Sequence, residues 1–341
     1  MRIAVVSHSL IHDRQAWFWD YVSSQAGVVL KQIYPRRWDD LKRKWGYEVR
    51  GEGNLYDFEF QSDALREIEA FKPNLIYVQN EVKCRVTQQM WRVAGRLGCK
   101  IAVFVWENIH PYEDESSYVA HLTSQRHQAQ RHQALLSSIN LVVCGNREAE
   151  ELVQPWNKNT FRGLQVGVPT HVFQPKHFPF NGTPEYDIIF LGRPTPEKGA
   201  DVLKQAVEGT GWKVWWPNPE KRISYSDLPP YYCNAKVLAA PSIDTAYWKE
   251  QAPGGYVSLE ALSCGLRVVT SDSTAMVEGL KDCPGVWFSK QNDADSLKRC
   301  LTEALQDWEP NLDGRRWVEG KYGYGAVTGE LLGAFRERGW L

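Results

Sequence analysis

The chain has 341 residues, 43% hydrophobic and 24% charged, with 40 basic against 41 acidic side chains. This composition excludes a wholly disordered chain, a collagen and a coiled coil, and the length suits about two domains. A formal charge of −1 supplies no bulk attraction for nucleic acid or anionic lipid, so nucleic acid is not an expected partner.

Short apolar runs alternate with amphipathic ones. Residues 3–7 (IAVVS) predict a strand, 15–24 a helix and 28–33 a second strand. Residues 64–71 predict a helix, 75–78 a strand introduced by Pro73, 86–97 a helix and 101–106 a strand. A long polar helix is expected over 117–137, then a strand at 141–144 and a helix at 147–153. Buried-type strands alternating with helices imply a parallel α/β sheet. Residues 169–185, with Pro169, Pro175, Pro179 and Pro184, read as an interdomain linker. The rhythm then restarts with strands at 187–191, 212–216, 237–240 and 267–270, and helices at 200–207, 228–233 and 256–264. Two open α/β domains in series suggest a two-lobed enzyme, with ligands outside the carboxyl ends of strands and most naturally between the lobes.

No apolar run reaches the ~20 residues of a membrane span. The N-terminus, MRIAVVSHSLIHDRQ, lacks the apolar core and cleavage site of a secretory leader. The seven cysteines are scattered, and none falls into zinc-ligand spacing. A cytoplasmic protein with reduced thiols is expected.

Two segments carry the chemistry. In IIFLGRPTPEKGADVL, residues 188–203, a strand runs into Gly192, and Arg193 and Lys198 flank a loop that Gly199 closes before a helix. Two cations and a helix N-terminus at a strand's carboxyl end suit a phosphate or diphosphate, although both cations could also be solvated turn residues. In YWKEQAPGGYVSLEALSCGLRVV, residues 247–269, Gly254 and Gly255 open a helix and Glu260 lies inside it. Glycines permit close backbone approach to a ligand, and an acidic side chain there can accept ribose hydroxyls. Glu260 could instead be a solvent-facing helix residue and the glycines a simple cap.

These segments resemble the C-terminal lobe of GT-B glycosyltransferases, specifically the retaining family 4 (glycosyl transferases group 1). Gly192, Arg193, Glu197, Lys198 and Gly199 match its G-R-x-x-x-E-K-G loop. Glu260, Ala261, Leu262, Gly265, Val268 and Val269 match the second half of its E-x7-E signature and the run that follows. LQVGVPTHVFQP (164–175) and LPPYYCNAKVLAAPS (228–242) are similar to two further family runs, and FKPNLIYVQNE (71–81) is a looser match. The first glutamate of the pair is replaced by Ala252, with Glu250 the nearest substitute. The family's N-lobe Gly-Gly loop is absent, with 7–19 in its place, and Trp106-Glu107-Asn108 stands where a histidine often ends the fourth strand.

The resemblance implies two Rossmann-like lobes with parallel sheets facing a central cleft: an acceptor lobe over 1–168, a linker over 169–185 and a nucleotide-sugar lobe over 186–320. A C-terminal helix over 321–341 would cross back to the first lobe. It implies transfer, with retention, from a UDP- or GDP-sugar to a glycan, lipid-linked or small-molecule acceptor. Arg193, Lys198 and Glu250 would form the catalytic set. Gly192, Gly254, Gly255, Tyr256, Val257 and Glu260 would hold the donor, the backbone N–H groups of Gly254, Gly255 and Tyr256 meeting phosphate or sugar hydroxyls. His8, Trp106, Glu107, Asn108 and His110 would face the acceptor. No metal or other cofactor is required, since the two cations would stabilise the leaving diphosphate. The competing reading is a non-catalytic GT-B-like protein that binds a nucleotide or glycan.

Three other features of the sequence bear on metal, nucleic-acid or membrane binding. Asp293-Ala294-Asp295 looks like a D-x-D metal motif, but it precedes an amphipathic helix at 297–305, where aspartates cap. His127 and His132 lie five apart, a spacing that does not share a helix face. Residues 34–50 mix Arg36, Arg37, Lys42, Arg43, Lys44 and Arg50 with Trp38, Trp45 and Tyr47. They read either as a loop anchored by its tryptophans or as a site for an anionic acceptor with peripheral membrane contact.

Overall fold

In a computed structural model, residues 1–108, 134–177, 183–193, 195–218, 223–245 and 248–341 are described. The chain forms two compact units, one of residues 1–166 with 327–341 and one of residues 167–326.

The first unit is built on a six-stranded parallel sheet. Its strands are β1 (Arg2–Val6), β2 (Val29–Ile33), β7 (Leu75–Val78), β8 (Lys100–Val105), β9 (Leu141–Cys144) and β10 (Thr160–Arg162), ordered β10-β9-β8-β7-β1-β2. Every residue of β7 and β9 is buried, as expected of strands covered on both faces. Helices α1 (Asp13–Ser23), α2 (Ser62–Phe71) and α3 (Arg85–Leu97) connect the strands. In α3 the buried Val86, Met90, Val93 and Ala94 recur at helical spacing, and Gly98 ends the helix with φ 65°. Helix α4 (Arg147–Val153) is capped by Asn146, whose side chain accepts from Ala149 N. The sheet grows outward in both directions from β1, so its topological switch point lies between β1 and β7.

Residues 34–60 differ from a plain loop. They form two short antiparallel pairs, β3 (Arg37–Trp38) with β4 (Leu41–Lys42), and β5 (Val49–Arg50) with β6 (Glu59–Phe60). Trp38 is 5% exposed and anchors this region, whereas Trp45 is 77% exposed and anchors nothing. Most of the helix expected over 117–137, together with His110, His127 and His132, lies outside the described residues.

The second unit carries a five-stranded parallel sheet, ordered β12-β11-β13-β14-β15. Its strands are β11 (Tyr186–Ile189), β12 (Val214–Trp215), β13 (Ala235–Ala240), β14 (Arg267–Ser271) and β15 (Val286–Ser289). Strand β12 is shorter than the 212–216 run suggests, because only Val214 and Trp215 pair with β11. Helices α5 (Ala200–Val207), α6 (Leu228–Cys233), α7 (Tyr256–Ser263), α8 (Thr274–Leu280), α9 (Ala294–Leu305) and α10 (Leu312–Tyr322) complete the unit. Its switch point lies between β11 and β13. The described residues of the 169–185 segment fall within this unit, where Arg315 donates to the carbonyls of Thr170 and Phe173. The last helix, α11 (Tyr324–Glu337), begins in the second unit, and from Val327 onward it groups with the first. Among the described residues, no helix is long and apolar enough to cross a membrane.

Candidate active site

The loop from Gly192 to Gly199 leaves the carboxyl end of β11 at the switch point of the second sheet. Two glycines shape it. A Cβ on Gly199 would lie 2.0 Å from Pro241 O, and its φ is +69°. A Cβ on Gly192 would lie 2.6 Å from the Phe190 ring. The chain therefore passes close to the end of β13, and any side chain at Gly199 would collide with backbone. Between the glycines, a single 3-10 turn (Pro196–Lys198) brings Lys198 to the loop's end.

Lys198 Nζ lies 3.0 Å from Glu250 Oε2, with both side chains largely buried, and 4.1 Å from the centre of the Trp248 ring. The structure thus joins two residues 52 positions apart that the sequence reading placed at one site. Gly255 is adjacent, since its added Cβ would stand 3.9 Å from Glu250 Cδ. Trp248 was not singled out from the sequence. Its signal is its place beside Glu250; Trp248 N donates to Thr245 Oγ1 and Thr245 N donates to Trp248 O. Arg193 behaves differently: its side chain is 71% exposed and only 3.7 Å from Glu197.

Two expectations for the second segment need correction. Gly254 N donates to Ala275 O at 2.9 Å, and Gly255 N donates to Ala252 O at 2.8 Å. These two N–H groups are spent inside the protein and are not offered to a phosphate. The positive φ of both glycines, 77° and 62°, serves this turn. Glu260 is neither solvent-facing nor open to ribose on both oxygens. It is 2% exposed, Oε1 accepts from Tyr225 and Oε2 from Tyr232, each at 2.9 Å. Burial first, and the Glu260 charge second, push the Tyr232 phenol well above its ordinary range. Tyr256 and Val257, half-buried, begin α7. Tyr232 was legible only as part of the 228–242 run, and Tyr225 was not singled out from the sequence.

In the first unit, the ends of β1, β7 and β8 bring His8, Asn80, Glu81, Trp106 and Glu107 together. Asn80 Nδ2 lies 3.0 Å from His8 Nδ1. Trp106 N and Glu107 N both donate to Glu81 Oε1, at 2.6 and 2.9 Å. Glu107 is ion-paired with Lys83, and Asn108 is 5% exposed. Burial pushes the His8 imidazole down to about 4, aided by nearby His12 and opposed by the Asn80 contact. Burial pushes the Glu81 carboxyl up, with the Glu107 charge acting in the same direction. Sequence reading missed Asn80 and Glu81. Their signal is the abrupt change from apolar LIYV to Gln79-Asn80-Glu81 at a strand end.

Among the described residues, no group of three or more His, Cys, Asp or Glu side chains has metal-site geometry. Asp293 caps α9, its side chain accepting from Ser296 N at 2.8 Å.

Residues 221–319 match the family described as glycosyl transferases group 1. Over 139 residues, 40% of the chain, it is 29% identical to the O-antigen chain mannosyltransferase B of Escherichia coli, and the match covers 34% of that protein, about a third of its length. Among solved structures, the sucrose-phosphate synthase of Thermosynechococcus elongatus is similar, with a TM-score of 0.69 at 14% identity over 99% of each chain. HepE of Anabaena, solved with UDP-glucose, gives a TM-score of 0.68 at 10% identity over 99% of this chain and 100% of its own. The fold is GT-B, α/β with parallel sheets.

Proposed function

We propose that this chain is a glycosyltransferase that takes its sugar from a nucleoside-diphosphate sugar, UDP- or GDP-linked, bound by the second unit. The observation that carries the reading is Lys198, set by a glycine-bounded loop at the switch point of the second sheet and held between Glu250 and Trp248. The match of residues 221–319 to glycosyl transferases group 1 supports it.

The energetic problem is the leaving nucleoside diphosphate, which gains negative charge as the bond from the sugar C1 to the phosphate oxygen breaks. Lys198 and Arg193 supply fixed positive charge where that charge develops. Arg193, being exposed, has freedom to swing onto a ligand, whereas Lys198 is already in place. Glu250, beside Lys198, is suited to accept hydrogen bonds from the donor sugar. The acceptor hydroxyl forms the new bond to C1, and its proton passes to a donor phosphate oxygen. A dedicated protein base is then unnecessary, which agrees with retention of configuration. With two cations at the diphosphate, the reaction needs no metal.

The test is a panel of labelled UDP- and GDP-sugars, followed for nucleoside-diphosphate release and, in parallel, for thermal stabilisation of the fold, since a true donor stabilises by mass action. One sugar nucleotide should be consumed and should raise the melting temperature. A chain that is stabilised by sugar nucleotides yet consumes none is a binding protein. One that neither binds nor consumes any refutes the reading.

A further inference from the structure

The turn at residues 253–255 is laid against a helix too short to hold itself in place. Helix α8 has seven residues, fewer than the ~12 at which an isolated helix becomes even marginally stable. Its neighbours must therefore fix it. Near its start, Ala275 O accepts from Gly254 N at 2.9 Å. Along its face, a Cβ on Gly279 would collide with Gly254 N and with the carbonyl carbon of Pro253. A glycine inside a helix is unfavourable relative to alanine, and here the close approach of the turn requires one. A Cβ on Gly255 would stand 3.2 Å from Met276 Sδ, on α8, and 3.9 Å from Glu250 Cδ. Glu250 Oε2 in turn accepts from Lys198 Nζ at 3.0 Å.

The other end of α8 is held from far along the chain. Gly279 lies in the last turn, where carbonyls lack an intrahelical partner. Its oxygen accepts from the Tyr322 hydroxyl at 2.9 Å, across 43 positions. Tyr322 is 7% exposed and ends α10. Its own place is set twice. Its carbonyl accepts from Val168 N at 2.7 Å, and its ring meets Trp317 edge-on, with centres 5.4 Å apart.

We propose that Tyr322 is a positioning residue for sugar transfer. Its hydroxyl fixes the end of α8, α8 fixes the 253–255 turn, and the turn sets Glu250 beside Lys198. The role in transfer rests on reading Glu250 and Lys198 as donor contacts, but the mechanical link from Tyr322 to the turn does not.

Tyr322→Phe deletes the hydroxyl and keeps the ring. The full chain is assayed well below its melting temperature, with the sugar nucleotide that the parent consumes from the UDP- and GDP-sugar panel. The kcat of Tyr322→Phe should fall at least about tenfold while KM stays within about threefold, because a displaced group costs most where reacting atoms must be aligned. In a Glu250→Ala background, Tyr322→Phe should cost less than about a further twofold, since residues that act through one another are not additive. Asp293→Ala, which also loses stability, should keep the parental kcat, so a fall in Tyr322→Phe is not a loss of stability alone. Parental kcat in Tyr322→Phe, or its full loss repeated in the Glu250→Ala background, would overturn the proposal.

A second readout needs no turnover. The chain has three methionines, so labelling their methyl groups with ¹³C gives a sparse NMR spectrum in which Met276 reports on α8. Tyr322→Phe should shift the Met276 resonance and leave that of Met90, on α3, in place. An unmoved Met276 overturns the link. If the parent consumes no sugar nucleotide, the donor reading fails and the role in transfer with it, while the Met276 resonance still decides whether Tyr322 holds α8 against the turn.

Discussion

Lys198 Nζ and Glu250 Oε2 stand 3.0 Å apart, and the same ammonium lies 4.1 Å over the Trp248 ring. The cation therefore has two partners before any ligand arrives. Both fix its position, and on the proposed reading a diphosphate would share it with Glu250. Lys198→Ala should lower sugar transfer by about 10²-fold, the scale for losing one preorganised charge donor, while the fold survives. Trp248→Leu should raise the KM for the sugar nucleotide several-fold more than it lowers kcat, and Trp248→Phe should restore much of the loss, because the ring rather than the indole N–H faces the ammonium. Equal steady-state constants in the parent and Trp248→Leu would remove this role.

Glu260 makes a prediction about stability. Tyr232→Phe leaves a 2%-exposed carboxylate without its Oε2 donor, at a cost of about 1–3 kcal/mol. Tyr225→Phe should cost less, since Tyr225 is only partly buried. Urea unfolding of the two variants checks the order, and equal midpoints for parent and Tyr232→Phe would contradict it.

Asp293 caps α9 through its hydrogen bond with Ser296 N. Asp293→Ala should lower stability by about 1 kcal/mol through the lost cap. Transfer should be insensitive to the substitution and to a chelator. Strict dependence on Mn²⁺ or Mg²⁺ would overturn the metal-free mechanism.

Residues 34–50 read from sequence either as an anchored loop or as a basic site, and the structure pairs three of their six named cations locally. Arg36 is 2.9 Å from Glu48, Arg37 is 3.9 Å from Glu52, and Arg43 is held by Asp13. These pairs are exposed or partly so, and each contributes at most about 1 kcal/mol. The Arg36/Arg37/Arg43→Ala triple variant should therefore lose a little stability and keep its transfer rate across a salt titration. Selective loss of transfer, with strong salt sensitivity in the parent, would restore an anionic acceptor.

The parallel-sheet architecture was legible because strands such as Leu75–Val78 and Leu141–Cys144 are continuous apolar runs buried on both faces, and their periodicity is local. The Gly192–Gly199 loop was legible for a similar reason, since its glycines and cations stand together in one short strand–turn–helix segment, although the contact that requires Gly199, with Pro241 O, is tertiary. What escaped depends on tertiary contacts. The Gly254 amide looks free at a helix start until Ala275, from the following helix, accepts from it. Glu260 looks like a ligand-facing acid until tyrosines 35 and 28 residues earlier donate to it. Glu81 is marked locally only by its place at the end of an apolar strand, while the amides that hold it come from the end of β8.

His8 and Glu81 give stability opposite dependences on pH. Burial lowers the His8 imidazole from its ordinary 6.5 to about 4. Between those values the unfolded chain binds the proton and the folded chain resists it, so stability falls as the pH drops from 6.5 towards 4. At about 1.36 kcal/mol per unit, the whole effect is at most roughly 3 kcal/mol. Glu81 is raised by burial, so its contribution is fully present below the ordinary carboxylate range and is lost as the pH climbs through its raised folded value. His8→Gln should flatten the acid side of a melting-temperature profile measured from pH 4.5 to 8.5. Glu81→Gln, whose amide oxygen can still accept from the Trp106 and Glu107 N–H groups, should flatten the alkaline side. An acid-side slope in His8→Gln as steep as the parent's would mean that the imidazole is hydrated and charges freely at that strand end.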